Sequence, residues 1–143
     1  MTAKKPQKRS SRAGDYRAVG LWRVALRDFI NFSNQDMKRQ GITLLQYQVL
    51  LEIVSCMESG EDMTVGLLAS HLHMRHNSVV VLINQLVRKG HVRRVPSQED
   101  RRSMLLQLTP KGKRTLDKLV QGHRKVIDAF LPDLRKALAG NRG

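Results

Sequence analysis

Residues 64–90 of this 143-residue chain read TVGLLASHLHMRHNSVVVLINQLVRKG, and residues 91–112 continue with HVRRVPSQEDRRSMLLQLTPKG. Apolar side chains recur at helical spacing over residues 65–72 and again over residues 75–89. The threonine that begins the stretch suits a helix N-cap, and Gly90 suits a helix end because it tolerates a left-handed backbone. The stretch therefore predicts a short helix, a tight turn and a longer helix, which is the helix-turn-helix arrangement.

The hydrophobic period changes after this second helix. Residues 91–95 and residues 103–108 alternate between apolar and polar side chains, as strands with one buried face do. Residues 96–100 lie between them and read PSQED, which is typical of a turn. The two segments predict a β-hairpin directly after the helix-turn-helix, and a hairpin in that position is called a wing.

Two helices are predicted before this winged region. Asp15 is expected to cap a long helix that runs to about residue 40, in which apolar residues such as Trp22 and Leu26 recur at helical spacing. Thr43 is expected to cap a second helix, whose apolar face includes Val49.

A further helix is predicted after the wing. Thr109 is expected to cap it, and Pro110 then occupies its first position, where a missing N–H costs nothing. Pro132 is expected to end this helix and to open a short last one over residues 134–138. The predicted fold class is therefore mainly α with a small β-hairpin.

The charge of the chain is large and unevenly distributed. Lys and Arg number 26 against 12 Asp and Glu, which gives a formal net charge of +14. Residues 1–14 hold five basic and no acidic side chains, residues 28–62 have a net charge of −4, and residues 88–114 have a net charge of +7. Such an excess indicates a polyanionic partner, either nucleic acid or an anionic membrane surface. Residues 88–114 are expected to face it, with a solvated, solubilising face as the alternative.

Residues 1–14 are predicted to form a flexible basic arm ahead of a single domain over residues 15–143. The arm either follows DNA phosphates or serves only as a solubilising tail. Both interpretations fit its composition.

Composition and motifs exclude several other classes of protein. Cys56 is the only cysteine, so an internal disulfide is excluded and a reducing, cytoplasmic compartment is expected. His71, His73 and His76 have no cysteine to complete a zinc site, so we expect no metal. The sequence has no P-loop, no G-x-S-x-G motif and no apolar run long enough to span a membrane. We therefore expect neither an enzyme nor a cofactor.

Four segments carry a resemblance to a known family. Residues 42–50 read ITLLQYQVL, residues 64–72 read TVGLLASHL, residues 78–90 hold the second helix and its glycine stop, and residues 100–112 read DRRSMLLQLTPKG. In this order and spacing they resemble the MarR family, the multiple-antibiotic-resistance regulators, whose patterns include LTxxQxxvL, tvgeLAerL and the wing signature DxRxxxLxLTxxG.

The resemblance extends over about residues 19–131 and has three departures. Leu67 stands where the family usually has glutamate, and Val80 and Val81 stand where polar residues are frequent. The short segment after Pro132 also departs from the full closing helix that family members use for dimerisation.

The resemblance implies a winged helix-turn-helix fold. It implies a DNA-binding lobe at about residues 43–109 and dimerisation helices at residues 15–40 and 110–139. It also implies a cytoplasmic, nucleoid-associated transcriptional regulator, a repressor that binds double-stranded DNA as a homodimer. Because such a dimer reads two half-sites about 34–36 Å apart, its operator is expected to be pseudopalindromic.

The outer face of the second helix of the helix-turn-helix is predicted to enter the major groove, which admits one α-helix. Asparagine and glutamine can pair with adenine and valine can touch a thymine methyl, so contacts that lean towards A·T pairs are expected. At any one position, an ordinary surface polar residue with no base contact is an equally good interpretation. The residues predicted to face DNA are Arg75, His76, Asn77, Ser78, Val81, Asn84, Gln85 and Arg88.

The resemblance makes Arg102 of the wing an arginine that is inserted into the minor groove, where A·T tracts concentrate negative potential. Asp100 lies two residues earlier and is expected to hold Arg102 by a charged hydrogen bond. A set of basic residues around the wing is expected to contact phosphates, which orient the protein without specifying sequence. These residues are Arg93, Arg94, Arg101, Lys111 and Arg114.

The terminal helices carry apolar stripes that a monomer would leave in water. The candidates for a dimer interface are Trp22, Leu26, Leu119, Ile127, Phe130, Leu134 and Leu138, with intrachain core as the alternative for some of them. Family members often bind small aromatic or phenolic carboxylates. The residues that suit such an effector pocket are Trp22, Arg23, Arg27, Tyr47 and His123, although aromatic residues at helical spacing more often form core.

An architectural DNA-binding protein with the same fold and no effector is the alternative function. A footprint at one palindrome that a phenolic acid releases favours the regulator. Uniform coating of DNA without sequence preference favours the architectural protein.

Overall fold

The computed structural model of the chain describes residue 11 and residues 13–139. Its helices are α1 (Ala13–Arg39), α2 (Leu44–Glu58), α3 (Val65–Leu72), α4 (His76–Arg88) and α5 (Pro110–Ala139), and its strands are β1 (Val92–Pro96) and β2 (Met104–Leu108). Residues 33–122 form one compact unit, and the described residues before 33 and after 122 form another. The predicted fold class, mainly α with one β-hairpin, is confirmed.

Local capping explains where α2 and α3 begin. The Thr43 side chain accepts a hydrogen bond from the Gln46 backbone N–H, and the Gln46 side chain accepts one from the Thr43 backbone N–H. Thr64 accepts a bond of 3.1 Å from the Leu67 backbone N–H in the same way. Both threonines satisfy N–H groups that a helix start leaves without intrahelical partners, so both caps were predictable from sequence.

The core of the unit 33–122 lies between α2, α3, α4, β2 and the start of α5. Apolar spacing in each helix directs one stripe inward, and burial of these stripes is the main favourable contribution to folding. The largest fully buried side chains are Leu50, Ile53, Met63, Leu68, Ile83, Leu86, Leu106 and Leu119.

The wing is an antiparallel hairpin in which Val92 pairs with Leu108 and Pro96 with Met104. A third segment joins it, because Thr64 forms a bridge to Leu105 and the Leu106 N–H donates to the Met63 carbonyl at 2.8 Å. This bridge places the start of α3 beside β2. The sequence did not indicate it, since a single bridge has no periodic pattern.

The start of α5 is joined to the end of α4 through Thr109 and Gly112. The Thr109 side chain donates to the Gly90 carbonyl and accepts a bond of 3.0 Å from the Gly112 N–H. A Cβ atom at Gly112 would overlap the carbonyl group of His91. Glycine is therefore required here by the close approach of two backbones.

The structure corrects the expectation that Pro132 ends a helix. α5 continues through Pro132 to Ala139, so there is no separate short helix. Proline inside a helix removes one hydrogen bond and costs about 3 kcal/mol. Phe130 and Leu131, which precede the proline, line an apolar cavity with residues of α1, so this part of α5 has a tertiary environment that can override local propensity. The sequence rule for proline takes no account of such packing.

Two smaller boundaries also differ from the prediction. α1 begins at Ala13 and not at Asp15, so Asp15 lies in its first turn and the last two residues of the predicted arm are helical. Residues 1–10 and 12 of that arm lie outside the described residues.

In the part of the chain that the structure describes, no helix is long and apolar enough to cross a membrane.

Candidate nucleic-acid interface

α4 is a two-faced helix at the surface of the unit 33–122. Val79, Leu82, Ile83 and Leu86 are buried, and they form the face that packs on the core. Arg75 is the N-cap and has an extended backbone, but its side chain forms no capping bond. The residues of the predicted DNA-facing set that are exposed are Arg75, His76, Asn77, Ser78, Val81, Asn84 and Arg88.

Gln85 is the member of that set that is only half exposed, because it takes part in an internal network. The Gln46 Nε2 donates to Gln85 Oε1 at 3.0 Å. The Lys89 ammonium donates to Gln46 Oε1 at 2.8 Å and to the Gly41 carbonyl at 2.7 Å. Gln46 is 2% exposed, and this network gives its buried amide group hydrogen-bond partners inside the core. It connects the start of α2 to α4.

Asn84 is also engaged, and its partner comes from the wing. Arg94 of β1 donates from Nη2 to Asn84 Oδ1. Arg94 was predicted to contact phosphate, whereas in this structure it connects the wing to α4. Sequence reasoning missed the roles of Gln46, Lys89 and Arg94 as partners, since 10 to 43 residues separate the bonded pairs.

Asp100 organises the tip of the wing. Its Oδ1 accepts a hydrogen bond of 3.0 Å from the Arg102 backbone N–H, and its Oδ2 accepts one from the Ser103 hydroxyl. The charged bond that was expected between Asp100 and Arg102 therefore acts on the backbone of Arg102 and not on its guanidinium. No ion pair within the described residues engages the guanidinium of Arg102, which is exposed at the tip.

The other basic residues predicted to contact phosphate surround this wing. Arg101 and Arg114 are exposed. Arg93 is exposed and donates to Gln107 Oε1 at 3.1 Å across the hairpin, and Lys111 Nζ donates to the Lys89 carbonyl at 2.8 Å. A carbonyl or amide partner leaves the positive charge uncompensated, so all four side chains keep their attraction for an anion.

His91 is buried, and its electrostatic neighbours are Lys111 and Lys89. Burial lowers the pKa of His91, and the positive charges of Lys111 and Lys89 lower it further. Its Nδ1 has no hydrogen-bond partner within the described part of the chain. The neutral form of His91 is therefore the one that this site accommodates.

The other unit contains most of the residues predicted for an effector and a dimer. Trp22, Leu26, Ile127 and Phe130 line an apolar cavity of about 290 Å³, and the rings of Trp22 and Phe130 are 6.1 Å apart. Leu134 is half-buried and Leu138 is exposed. The structure corrects the interface candidate Leu119, which belongs to the core of the unit 33–122 and is 0% exposed.

The residues predicted for an effector pocket have different environments. Arg23 and Arg27 are exposed, and Arg27 lies 3.9 Å from Asp28. His123 is buried, with its ring 5.3 Å from that of Phe29. Tyr47 belongs to the unit 33–122, where burial and the Asp36 carboxylate raise its pKa.

Cys56 is a buried free cysteine whose pKa is raised by burial and by nearby carboxylates. This environment suits a small hydrophobic side chain and disfavours the reactive thiolate. Within the described residues, no group of three or more His, Cys, Asp or Glu side chains could hold a metal ion. His71 instead pairs with Glu52 at 3.0 Å.

Comparisons with known proteins agree with this architecture. A family model described as the MarR family matches residues 40–103. The transcriptional activatory protein BadR of Rhodopseudomonas palustris is 34% identical over 85 residues, which are 59% of this chain and 48% of BadR. This chain therefore spans about half the length of BadR. The uncharacterized HTH-type transcriptional regulator YkoM of Bacillus subtilis is 31% identical over 118 residues, which are 80% of this chain and 74% of YkoM.

Solved structures show the same fold at lower identity. The crystal structure of the S. aureus MepR–DNA complex matches with a TM-score of 0.72 and 18% identity, covering 85% of this chain and 89% of that chain. The YusO protein of Bacillus subtilis matches with a TM-score of 0.69 and 21% identity, covering 86% of this chain and 85% of that chain. These matches confirm the predicted winged helix fold.

Proposed function

The chain belongs to the MarR family of transcriptional regulators, and on that premise we propose that it binds a specific operator in double-stranded DNA as a homodimer. The observation that carries the proposal is the exposed polar face of α4 beside a wing whose tip presents Arg101 and Arg102. A helix of this length fits the major groove. A wing arginine fits the minor groove beside it.

Each part of this surface has a separate role in the proposal. The outer residues of α4 contact base edges, and Arg102 enters the minor groove. Arg93, Arg101, Lys111 and Arg114 contact phosphates, which fix the register of the protein on the duplex. Arg94 is half-buried and bonded to Asn84, so we assign it to the positioning of α4.

The homodimer is proposed because the terminal helices expose apolar side chains. Trp22 is 48% exposed, Leu26 42%, Ile127 42% and Leu138 58%. A second copy of the chain would remove these surfaces from water, at about 25 cal/mol for each Å² of apolar area. A two-fold dimer also explains why the operator should be pseudopalindromic.

We further propose that the protein represses transcription in the cytoplasm and that a small aromatic or phenolic carboxylate releases it from DNA. Occupation of an operator that overlaps a promoter is sufficient for repression. Trp22 and Arg23 are exposed residues of α1, and an indole ring and a guanidinium are the kinds of group that bind the ring and the carboxylate of such an effector. MepR is similar to this chain and is named in a complex with DNA, which supports the DNA partner.

Selection of bound duplexes from a random pool at fixed salt tests the function. We expect one enriched palindrome, which a footprint then confirms at a natural promoter. A reporter gene behind that promoter should be less active when the protein is present, and a panel of aromatic carboxylates should restore its activity. An increase of the reporter signal by the protein would show an activator instead, as the name of BadR states for that relative.

The second candidate function is an architectural DNA-binding protein, which the net charge of +14 favours. It predicts binding to unrelated duplexes with equal affinity. A ratio of specific to nonspecific affinity of about 10³ or more at fixed salt would exclude it.

A further inference from the structure

We infer that Asn84 and Gln85 act on DNA as hydrogen-bond donors, and that the bases they face are guanine or thymine. The inference rests on the proposed function, because it assumes that α4 lies in the major groove. It differs from the expectation that both amides pair with adenine. It follows from the two hydrogen bonds that hold these side chains inside the protein.

The partner of Asn84 fixes the orientation of its amide group. Arg94 is a guanidinium, which has only N–H donors, so the atom of Asn84 that it contacts must be the oxygen Oδ1. The oxygen is therefore turned towards β1. The amide nitrogen of Asn84, with two N–H groups, remains available on an exposed side chain of α4.

A chain of three side chains fixes Gln85 in a similar way. The Lys89 ammonium can only donate, and it contacts Oε1 of Gln46 at 2.8 Å. The Thr43 backbone N–H donates to the same oxygen at 3.2 Å. The other atom of the Gln46 amide is therefore the nitrogen, which donates to Gln85 Oε1 at 3.0 Å. Gln85 is thus left with its N–H groups, and Gln46 and Lys89 are positioning residues.

Base edges in the major groove differ in what they offer to such donors. Adenine offers one acceptor, N7, beside one donor, N6, so two hydrogen bonds to adenine need both the oxygen and the nitrogen of the amide. An amide that presents only N–H groups makes one bond at N7 and faces the N–H of N6, which it repels. A base amino group that approached Asn84 Oδ1 would also meet the cationic N–H groups of Arg94. Cytosine offers the donor N4, whereas guanine offers the acceptors O6 and N7 and thymine offers O4. Donors at positions 84 and 85 therefore select guanine or thymine.

The substitution Asn84→Asp tests this inference. An aspartate keeps an oxygen for Arg94 and replaces the available nitrogen with a second oxygen, which can only accept. We expect the wild-type protein to select guanine or thymine at one position of each half-site, and Asn84→Asp to select cytosine or adenine there. Discrimination should change by about tenfold or more, as for one lost or gained base contact.

Asn77→Asp is the matched control, because Asn77 is exposed on the same helix and has no hydrogen bond to another described side chain. It adds the same negative charge near DNA without a fixed amide. We expect it to weaken binding, to change the base preference only at the position that Asn77 itself faces, and to leave the base preference at the Asn84 position unchanged.

If Asn84→Asp fails to fold by circular dichroism, Arg94→Met takes its place. It releases Oδ1, so adenine should then be accepted at the same position. Selection of adenine by the wild-type protein, or an unchanged preference in the folded variant, would overturn the inference while leaving the proposed function intact. Binding of the wild-type protein without any sequence preference would overturn the proposed function, and the inference with it.

Discussion

At the scale of single residues, Arg102 is the side chain through which the wing enters the minor groove in the proposed function. Its backbone is held by Asp100 and its guanidinium is exposed at the tip. Asp100 thus fixes the backbone of Arg102 and forms no ion pair with its guanidinium. The wing signature in the sequence predicted both residues, because a short local motif contains them.

Arg102→Ala should weaken operator binding by about 1–3 kcal/mol, since a minor-groove arginine contributes both charge and hydrogen bonds. The measurement is a gel shift at fixed salt. Arg135→Ala removes the same charge from an exposed position of α5 and serves as the control. Equal effects of the two substitutions would mean that Arg102 acts only through its charge.

Gly112→Ala should destabilise the fold, because its Cβ would overlap the His91 carbonyl. Overpacking of this kind costs about 1–3 kcal/mol, and here the obstacle is backbone that cannot rotate away. Gly66→Ala is the matched control, since a Cβ at this helical position meets no atom within 4 Å. It should stabilise α3 by about 0.5–1 kcal/mol. Urea unfolding of both variants gives the comparison, and a loss in both would contradict the overlap argument.

His91 makes a prediction about pH. Burial and two lysines lower its pKa in the folded protein, whereas in the unfolded chain it titrates near 6.5. The unfolded state therefore binds the proton more readily, so the stability contributed by His91 is present above about pH 6.5 and is lost as pH falls below it.

Urea unfolding between pH 7.5 and pH 5 measures this effect. As pH is lowered, the free energy of unfolding should decrease more steeply in the wild type than in His91→Gln. The two slopes should differ by at most about 1.4 kcal/mol for each pH unit. The comparison of slopes isolates His91 from the other histidines. Parallel curves for the two proteins would show that His91 does not contribute.

At the scale of elements, the sequence predicted what is encoded locally. Thr43, Thr64 and Pro110 each act within one helical turn, so their positions at helix starts were readable. The bonds from Arg94 and Gln46 to α4 were not readable, because they join separate elements and depend on how those elements pack. The prediction that Pro132 ends a helix was wrong for a related reason, because the local rule for proline takes no account of tertiary context.

Pro132→Ala should stabilise α5. The substitution restores a backbone N–H inside the helix, where proline costs about 3 kcal/mol, and it loses only about 0.4–1 kcal/mol from the greater freedom of the unfolded chain. We expect a higher melting temperature by circular dichroism. Pro110→Ala is the control, because proline is favourable at the first helical position and its replacement should give no gain. Equal gains from both would contradict the account of α5.

At the scale of the whole molecule, the net charge of +14 becomes informative through its distribution. Residues 88–114 carry a net charge of +7 and contain the end of α4, the wing and the start of α5. Phosphate contacts release condensed counterions, so the logarithm of the binding constant falls with the logarithm of salt in proportion to their number. A homodimer has two such regions, and its salt dependence should be about twice that of one protomer.

Leu26→Glu connects this electrostatic argument to the oligomeric state. Leu26 lines the apolar cavity of α1 and α5 and is 42% exposed, so a charge there should prevent a second copy from packing against it. Sedimentation velocity should show a monomer, and the slope of binding against salt should fall to about half the wild-type value. Leu44→Glu changes a leucine at the start of α2 that is 54% exposed and lies outside the proposed interface, and this variant should remain dimeric with the full slope. A monomeric Leu26→Glu protein that keeps the wild-type slope would show that one protomer makes all the phosphate contacts, and the two-fold arrangement on the operator would then be wrong.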